Sequence, residues 1–398
     1  MATAPAGRRT VIIAGAGIGG LTAALLLSRG GFRVQLLERA AVFEAIGAGI
    51  QITPNASRIL VDLGLGKALA EVAVTPEGMD VRAGGNGRLL ASADLGAAIA
   101  ARYGAPWWMV HRADLQAALV AAVHDDPHVT VAMGRTVETV ARDGDGVAVT
   151  AVGVGERSTH RGAALIGTDG LWSATRELFG DGKPPAYGGR TAWRALLPRS
   201  AVPEGISDRR LGLWLGPGAH LVHYPVRAGA ALNLVAVVSD PEPRTGWSGT
   251  GDRLALIARF RGWTSQAQAL VAAPQAWTTW SLADRAPWFG QGQGPLTLLG
   301  DAAHPMLPFL AQGGAMAIED AAVLAKALAA RPDDLDGGFR AYEQARARRV
   351  AAVQRGARAN GRIYHLEGPM GWARDTAMRV LGGRQLVAGY DWIYRFRA

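Results

Sequence analysis

The sequence predicts an α/β protein in which a parallel sheet is interrupted by an antiparallel sheet and followed by long helices. Three observations predict this class. The chain opens with a strand, a helix and a second strand, which is the pattern of a parallel sheet. From Arg190 to Trp280 tryptophans are frequent, and short segments have the character of antiparallel strands. The last part of the chain is rich in alanine and arginine and has helical character.

The composition limits the classes of function. The 398 residues are 49% hydrophobic and 19% charged, which excludes a disordered chain and leaves room for two or three domains of about 100–200 residues each. Cysteine is absent, so disulfides, iron–sulfur clusters, cysteine-ligated zinc and a thiol nucleophile are excluded. We predict no metal site. The net charge of +9 fits either anionic small molecules or nucleic acid.

The N-terminal segment predicts one strand–helix–strand unit. Thr10–Ala14 and Phe32–Glu38 are the strands, and Ile18–Arg29 is the helix between them. Arg8-Arg9 before an uncharged stretch resembles a twin-arginine signal or the start of a membrane span. Four glycines in the turn interrupt any continuous apolar helix, so we expect a cytoplasmic protein that does not cross a membrane.

A glycine-rich turn joins the first strand to the first helix. Gly15, Gly17 and Gly20 have the G-x-G-x-x-G spacing, and Glu38 ends the second strand about 20 residues further on. Such glycines permit a tight turn and close approach to a pyrophosphate, the helix N-terminus supplies amides, and the acidic residue accepts hydrogen bonds from a ribose. The alternative is an ordinary glycine-rich turn. The flanking elements favour a Rossmann-like dinucleotide site.

The other elements are predicted from apolar periodicity and from capping and turn residues. They are helices from Thr53-Pro54 to Val61 and over Arg112–Val123, a hairpin turning at Asp143–Gly146, strands over Ala163–Gly167, Leu221–Val226, Ala231–Val238 and Leu296–Leu299, and helices over Gly314–Ala330 and Phe339–Arg362. Because elements of the first type flank the tryptophan-rich region, one domain is predicted to be inserted into the other.

Two later motifs place an aspartate between a buried strand and a helix. The first is Asp169-Gly170. The second is Gly300-Asp301, which is followed by Gly313-Gly314 at the opening of a helix. An aspartate in this place can accept hydrogen bonds from a sugar-alcohol chain, and the helix dipole stabilises negative charge on a ring. Together they favour a flavin dinucleotide over a nicotinamide dinucleotide.

With these motifs in this order, the chain resembles the single-component FAD-dependent aromatic hydroxylases of the p-hydroxybenzoate hydroxylase type. Within that family it is most similar to the branch of salicylate, 3-hydroxybenzoate and 6-hydroxynicotinate hydroxylases. The resemblance also rests on the segments Gly47–Asn55, Arg112–Gln116, Tyr224-Pro225 and Asp391–Tyr394.

The resemblance implies a fold and a set of cofactor contacts. It implies an FAD-binding domain over 1–75, 98–180 and 285–355, a substrate-binding domain over 76–97 and 181–284, and a C-terminal helical segment over 356–398. The residues implied to hold FAD are Gly15, Gly17, Gly20, Glu38 and Arg39 at the ADP half, Arg112, Gln116 and Asp301 at the phosphates and ribityl chain, and Gly313 and Gly314 at the ring. Asp169 is implied to serve both FAD and NAD(P)H.

The resemblance also implies the reaction. NADH or NADPH reduces the flavin, dioxygen gives a flavin C4a-hydroperoxide, and a small hydroxylated aromatic or heteroaromatic acid is hydroxylated. The partners implied are this acid, dioxygen and NAD(P)H, with no nucleic acid and no membrane. The long C-terminal helices could form a homodimer face or simply dock on the core.

Three polar residues on one predicted strand are candidates for a catalytic base: His220, His223 and Tyr224. Residues two apart on a strand share a face, so His220 and Tyr224 point the same way and His223 points the opposite way. In the resembling enzymes a His and a Tyr at this spacing line the substrate pocket. We expect His220 to remove the phenolic proton and Tyr224 to orient the ring. The alternative is that His220 is a surface histidine.

The substrate-binding candidates are Gln51, Pro308 and Arg194, with Arg190 as a second possible carboxylate partner. Pro308 departs from the polar residue of the 3-hydroxybenzoate enzymes, which favours a salicylate-like or pyridine substrate. Met316 replaces a more usual asparagine in a helix opening, so one hydrogen bond near the flavin ring is expected to be absent.

Other functions stay open at this point. A larger substrate, such as a quinolone, polyketide or purine, is one alternative, and a pocket lined by Trp193 and Trp214 would suit either this substrate or a small acid. A flavin-dependent NAD(P)H oxidase without hydroxylation is a second alternative. Nucleic-acid binding through the arginines of 340–362 is a third, but a solvated helix face is the preferred interpretation of that run.

Overall fold

The computed structural model describes residues 9–43, 48–243, 249–290 and 294–398. Gly47 of the Gly47–Asn55 segment lies outside the described residues. The strands are β1 (Thr10–Ala14), β2 (Arg33–Glu38), β3 (Gly49–Ile52), β4 (Gly78–Ala83), β5 (Leu89–Asp94), β6 (Trp108–His111), β7 (Val129–Met133), β8 (Thr136–Asp143), β9 (Gly146–Val152), β10 (Arg157–Gly162), β11 (Ala164–Gly167), β12 (Ala186–Pro198), β13 (Arg210–Gly216), β14 (Ala219–Val226), β15 (Ala231–Ser239), β16 (Gly249–Gly251), β17 (Trp277–Asp284) and β18 (Leu296–Leu298).

The helices are α1 (Ile18–Arg29), α2 (Pro54–Asp62), α3 (Gly66–Val72), α4 (Gly96–Tyr103), α5 (Arg112–His124), α6 (Ala174–Leu178), α7 (Arg253–Arg259), α8 (Ser265–Ala272), α9 (Gly313–Ala329), α10 (Leu335–Tyr364), α11 (Gly368–Ala388) and α12 (Asp391–Tyr394). The elements predicted from the sequence are confirmed, with ends that shift by a few residues. Thr53 is the N-cap position of α2, but its side chain does not cap the helix.

A five-stranded parallel sheet carries the first half of the architecture. Its strand order is β18-β11-β1-β2-β7, and every neighbouring pair is parallel. β1, α1 and β2 form the predicted strand–helix–strand unit. Val11, Ile12 and Ile13 of β1 are completely buried, as expected for a central strand covered on both faces. The carboxyl ends of β1, β11 and β18 lie next to each other because these strands are adjacent and parallel.

An eight-stranded sheet forms the second layer, in the order β16-β17-β12-β15-β14-β13-β4-β5. Its pairs are antiparallel except for β13 with β4. All its strands come from the segments 76–97 and 181–284, which were predicted to form the substrate-binding domain. The exact limits of the domains stay a prediction. A three-stranded meander of β8, β9 and β10 turns at the predicted hairpin, and β3 pairs with β6. The predicted α/β class with an antiparallel second sheet is confirmed.

The long helices pack on the parallel sheet. α9 contacts α1 and α10, and the hydroxyl of Tyr342 on α10 donates to the Leu298 carbonyl on β18. The interpretation of residues 340–362 as a solvated helix face is wrong for Arg346, which is completely buried. Arg349 and Arg358 are also in ion pairs with protein carboxylates, because this helix faces the core along its length.

A buried ionic cluster joins α9 to α10. Glu319 and Asp320 are completely buried on α9, and Arg346 lies between them with N–O distances of 2.8 and 2.6 Å. His304 Nε2 donates to the Asp320 carboxylate at 2.6 Å, and the Gly300 amide donates to the same carboxylate at 2.9 Å. Burial raises the pKa of Asp320, but His304 and Arg346 outweigh burial and hold it at about 2. The cluster therefore ties the Gly300-Asp301 turn to both helices.

The surface of the C-terminal region keeps apolar side chains on α11, among them Trp372 and Val380. The homodimer expected through these helices stays a prediction, as does the cytoplasmic location. In the part of the chain that the structure describes, no helix combines the length and the apolar character needed to cross a membrane.

Replacing Arg346 by methionine is expected to destabilise the protein strongly. The change leaves Asp320 buried without the guanidinium that pairs with it and leaves Glu319 with Arg349 alone, and breaking a buried pair in this way costs about 3–5 kcal/mol. Chemical denaturation would measure the free energy of unfolding. Arg348→Met, at an exposed position of the same helix, is the control and should change it by less than about 0.5 kcal/mol. Equal stabilities of the two variants would contradict this account of the cluster.

Candidate active site

One cavity of about 350 Å³ lies where the two large sheets meet. Residues that follow the carboxyl ends of β1, β11 and β18 line one side of it, which is where ligands bind in open parallel sheets. Residues of β12, β14 and β15 line the other side. A second recess, of about 490 Å³, lies along α5 and beside Phe43. The first cavity is the candidate active site because polar groups from several elements converge on it.

The glycine turn after β1 has the features that a dinucleotide requires. Gly15 has a φ of +108°, and a Cβ at Gly20 would lie 2.0 Å from the Gly15 carbonyl oxygen, so both positions need glycine for the turn and for helix packing. A Cβ at Gly17 would meet no described atom within 4 Å. Space is thus kept open at Gly17, which lines the cavity.

Glu38 closes this turn from the end of β2. Its carboxylate accepts from the Ala16 amide at 2.7 Å and from the Ala40 amide at 2.8 Å. These two bonds hold the glycine turn against the end of β2. Arg39 is exposed beside them. Gln116 lies on α5 and donates to the Ala16 carbonyl at 3.4 Å, so it also borders the turn.

Two helix N-termini open on the cavity. α1 begins after Gly17 and α9 after Gln312, and neither helix has a side-chain cap or an acidic residue in its first turn. The Gln312 side chain donates to Thr53 instead. The first residues of both helices line the cavity, including Gly313 and Gly314. Free amides and the positive ends of two helix dipoles fit the pyrophosphate and the electron-rich ring of FAD.

Asp301 and Arg112 also line this cavity. Asp301 is accessible to solvent there, and the surrounding protein raises the pKa of its carboxyl by reducing its hydration, while His304 and Arg112 act in the opposite direction. A carboxyl and a guanidinium beside the N-terminus of α9 fit the hydroxyls and phosphates of the FAD chain. The residues present therefore fit the cofactor.

Asp169 has a different environment. Its carboxylate accepts from the Thr175 amide at 3.0 Å and from the Ser173 and Thr175 hydroxyls, so it holds the start of α6. Its neighbours Thr168 and Gly170 line the cavity, whereas Asp169 itself does not. The expectation that Asp169 contacts FAD and NAD(P)H stays a prediction.

Alternate residues of β14, the strand with the candidate catalytic residues, face the cavity, as predicted from the alternation of side chains along a strand. His220, Val222 and Tyr224 of β14 line the cavity, and His223 points to the other face. The alternative that His220 is a surface histidine is wrong, because 3% of it is exposed. Burial raises the pKa of Tyr224 well above its usual range, although Arg194 opposes this. Tyr224 is therefore an uncharged phenol at neutral pH.

Arg194 faces the cavity from β12. Within the described residues its guanidinium forms no hydrogen bond or ion pair, and its Nε is buried without a partner. The guanidinium lies over the Trp280 ring at 5.0 Å. Burial lowers the pKa of Arg194, but arginine keeps its charge in proteins. A half-buried cation without a counter-ion is the arrangement expected of an anion-binding site.

Arg190 does not take this role. Its Nε donates to His365 Nδ1 at 2.7 Å, and it does not line the cavity. Gln51 on β3 and Pro308 do line it. Met316 is completely buried in the main core, where its sulfur accepts from Arg346 at 3.5 Å. Met316 does not line the cavity. The geometry therefore gives no support to the expectation that Met316 removes a hydrogen bond near the flavin ring.

The expectation of a tryptophan-lined pocket is wrong. Trp193 and Trp214 lie in an apolar core with Leu221 and Phe260, on the far side of the eight-stranded sheet. Trp193 is the neighbour of Arg194, and adjacent residues of a strand point to opposite faces. A third tryptophan, Trp280, contacts the site through Arg194, whose guanidinium lies over its ring.

Several residues of the site were not found from the sequence. Asn55 bridges Gln312 and Glu319 through its side chain at 3.1 and 2.7 Å, and Asn233 accepts from the Gly49 amide at 2.6 Å. Neither sits in a motif with a chemical meaning of its own. His365 contacts His220 across 145 residues of chain, and no local pattern could have paired them.

Fold and site together define a dinucleotide-dependent flavoprotein, with Arg194, His220 and Tyr224 lining the same cavity as the glycine turn. The sequence model described as the FAD binding domain matches residues 8–357, and the chain belongs to this family. The resemblance to FAD-dependent aromatic hydroxylases is thereby confirmed, and the chain is an FAD-dependent monooxygenase that uses NAD(P)H.

Relatives match over almost the whole chain. The 3-hydroxybenzoate 6-hydroxylase of Polaromonas naphthalenivorans (strain CJ2) is 34% identical over 384 residues, 96% of this chain and 95% of the relative. The 3-amino-4-hydroxybenzoate 2-monooxygenase PtnB3 of Streptomyces platensis is 36% identical over 395 residues, 98% and 97% of the two chains. The 6-hydroxynicotinate 3-monooxygenase of Pseudomonas fluorescens is 36% identical over 355 residues, which cover 87% of this chain and 89% of the relative.

Solved structures share the fold. Klebsiella pneumoniae HpxO, complexed with FAD and uric acid, superposes with a TM-score of 0.82 at 28% identity and covers 96% of this chain and 95% of its own. A salicylate hydroxylase substrate complex has a TM-score of 0.82 at 25% identity and covers 98% and 96%.

Replacing Gly17 by alanine is expected to weaken FAD binding without weakening the fold. The new methyl group meets no protein atom but occupies the space left for the pyrophosphate. Titration of the apoprotein with FAD should show an affinity lower by at least about tenfold, a loss of about 1.4 kcal/mol. Thermal unfolding of the apoprotein should be unchanged.

Two further variants bracket this result. Gly182→Ala, also in open space but away from the cavity, should change neither quantity. Gly20→Ala should destabilise the apoprotein, because its methyl group meets the Gly15 carbonyl. If Gly17→Ala bound FAD like the unsubstituted protein, this turn would not be the pyrophosphate site.

Proposed function

We propose that the protein hydroxylates a small hydroxylated aromatic or heteroaromatic acid. The observation that carries this proposal is the unpaired guanidinium of Arg194 on the cavity face that also presents His220 and Tyr224. A carboxylate is the natural partner of such a guanidinium because it binds through two parallel hydrogen bonds. A phenol or hydroxypyridine ring beside it would meet His220 and Tyr224.

The register of the sheet sets the size of the substrate. Arg194 pairs with Val235 on β15, and Val235 pairs with Val222 on β14, between His220 and Tyr224. Neighbouring strands are about 4.8 Å apart, so the two backbones lie about 10 Å from each other. Arg194 and Tyr224 face the same cavity from these two strands. The space between them suits one ring with a carboxylate at one end and a hydroxyl at the other.

The chain's own residues supply binding, orientation and dryness. Bound FAD supplies the redox chemistry, taking reducing equivalents from NAD(P)H and activating dioxygen. Arg194 holds the carboxylate, Tyr224 orients the ring, and His220 contacts the ring oxygen. Val222, Val235 and Val237 form an apolar floor that keeps water from the reacting ring. Gln51 and Pro308 border the same space.

Names of relatives support this substrate class. The relatives described above are named for 3-hydroxybenzoate, 3-amino-4-hydroxybenzoate and 6-hydroxynicotinate, each a ring acid with a hydroxyl. A second candidate is an anionic purine, supported by the similarity to HpxO complexed with uric acid. In that case Arg194 would bind ring oxygen rather than a carboxylate.

The test is NADH and NADPH oxidation by the FAD-loaded protein with mass analysis of the products. The panel contains salicylate, 3-hydroxybenzoate, 6-hydroxynicotinate, 3-amino-4-hydroxybenzoate and uric acid. We expect one ring acid to stimulate oxidation and to gain one oxygen atom. Stimulation by uric acid alone would favour the purine. Oxidation that yields only peroxide with every compound would contradict the proposal.

Arg194→Met is expected to weaken binding of the stimulating acid while FAD stays bound. Methionine keeps an apolar side chain over Trp280 but removes the charge-assisted hydrogen bonds, which are worth about 1.5–3 kcal/mol. The Kd of the acid, measured from the change in flavin absorbance, should rise by about 10- to 100-fold.

The control for this variant is Arg199→Met, which removes an exposed arginine just beyond the end of β12. It should leave the Kd unchanged. A matched phenol without the carboxylate should bind the Arg194→Met variant and the unsubstituted protein with similar affinity. Equal losses for the acid and the phenol would show that Arg194 does not bind the carboxylate.

A further inference from the structure

We infer that Arg190 and His365 are positioning residues that hold His220 as a hydrogen-bond donor toward the substrate. The inference rests on the proposed function and deepens it, because it states which chemical form of the ring oxygen the site binds. It also revises the expectation that His220 accepts the phenolic proton.

Three side chains form a chain of hydrogen bonds behind the cavity. Arg190 Nε donates to His365 Nδ1 at 2.7 Å, and His365 Nε2 lies 2.7 Å from His220 Nδ1. Arg190 is itself fixed by its position over the Phe309 ring, 5.6 Å from its centroid. His365 is buried at the end of α10, and its backbone carbonyl accepts from the Gly218 amide next to β14.

The direction of each bond follows from what arginine can do. A guanidinium has only donors, so His365 Nδ1 must be the acceptor. A neutral His365 then carries its proton on Nε2 and donates it to His220 Nδ1. His220 in turn carries its proton on Nε2, the ring nitrogen on the opposite side from His365. Within the described residues this nitrogen has no protein hydrogen-bond partner, and His220 lines the cavity.

The surroundings keep both imidazoles uncharged. The groups packed against His220 are the rings of Phe309, Tyr364 and His365, with Arg190 behind them. Arg374 faces His365. Burial together with these cations lowers the pKa of His365 to about 3 and that of His220 well below its usual range. Neither histidine carries a charge at neutral pH, so the donor form of His220 persists through the working range.

The consequence concerns the substrate. A fixed N–H donor, with uncharged Tyr224 four residues away on the same face of the strand, stabilises a ring oxygen that accepts hydrogen bonds. Such an oxygen is a phenolate or the oxo form of a hydroxypyridine. The site therefore binds the ring in an electron-rich form whose oxygen carries no proton, and a phenol gives up its proton to solvent or buffer rather than to His220.

The tautomer can be measured without any substrate. The FAD-loaded protein is labelled with nitrogen-15 in its 8 histidines, and two-bond proton–nitrogen spectra are recorded. His220→Gln and His365→Asn identify the two signals. We expect His220 in the neutral Nε2–H form, without titration between about pH 6 and pH 9. An Nδ1–H form, or titration near its usual pKa, would overturn the inference.

His365 variants test the relay itself. His365→Leu breaks the chain, and we expect the His220 signal to become a mixture of both tautomers. His365→Asn can accept from Arg190 through its oxygen and donate to His220 through its nitrogen, so it should restore the Nε2–H form. If leucine and asparagine gave the same His220 spectrum, His365 would have only a structural role.

A pair of His220 variants distinguishes a hydrogen-bond donor at this position from a general base. Glutamine presents an amide N–H near the place of Nε2 but cannot take up a proton. We expect the coupled product yield of His220→Gln to exceed that of His220→Ala by at least about tenfold with the most active acid of the panel. Equal losses would support a base and overturn the inference. His223→Gln, on the opposite face of the strand, is the control for the strand itself.

The spectra and the substrate panel test the relay and the proposed function separately, so either can be rejected without the other. An Nε2–H tautomer with no active ring acid would leave the relay intact and reject the proposed function. An active ring acid with an Nδ1–H tautomer of His220 would support the proposed function and reject the relay.

Discussion

The pairing of two buried carboxylates with one buried guanidinium is the interaction on which the site depends. Glu319 and Asp320 stand side by side on α9, Arg346 pairs with both, and Arg349 pairs with Glu319 as well. Because Asp320 also binds the Gly300 amide and His304, the cluster fixes the turn that carries Asp301. Glu319 binds Asn55, which in turn contacts Gln312 at the start of α9. The cluster thus positions the helix N-terminus that faces the flavin.

The two large sheets contribute different kinds of binding group to the cavity. The parallel sheet offers backbone amides, helix dipoles and one aspartate at its carboxyl edge, and these suit a long dinucleotide with phosphates and a ribityl chain. The eight-stranded sheet offers side chains at fixed register, and these suit a small ring. Gly49 connects the two: its amide binds Asn233, and a Cβ there would lie 2.5 Å from the Tyr224 ring. Groups that suit the cofactor and groups that suit the substrate therefore line one cavity.

The sequence predicts those parts of the fold that depend on local patterns. The glycine turn, its Glu38 partner and the common face of His220 and Tyr224 follow from spacing alone, and the structure has them. Contacts across distant segments could not be predicted. Arg346 is buried because Glu319 and Asp320 come to it from another helix, and the face of β12 decides that Arg194 enters the cavity while Trp193 does not. His365 reaches His220 only because α10 ends beside β14.

The central claim is that one cavity between the sheets holds the flavin and a ring acid together. The most direct measurement is a crystal structure of the FAD-loaded protein with the most active acid of the panel. We expect the flavin ring against the N-terminus of α9, the carboxylate on Arg194 and the ring oxygen on His220. An acid bound elsewhere, or a carboxylate turned away from Arg194, would contradict the account.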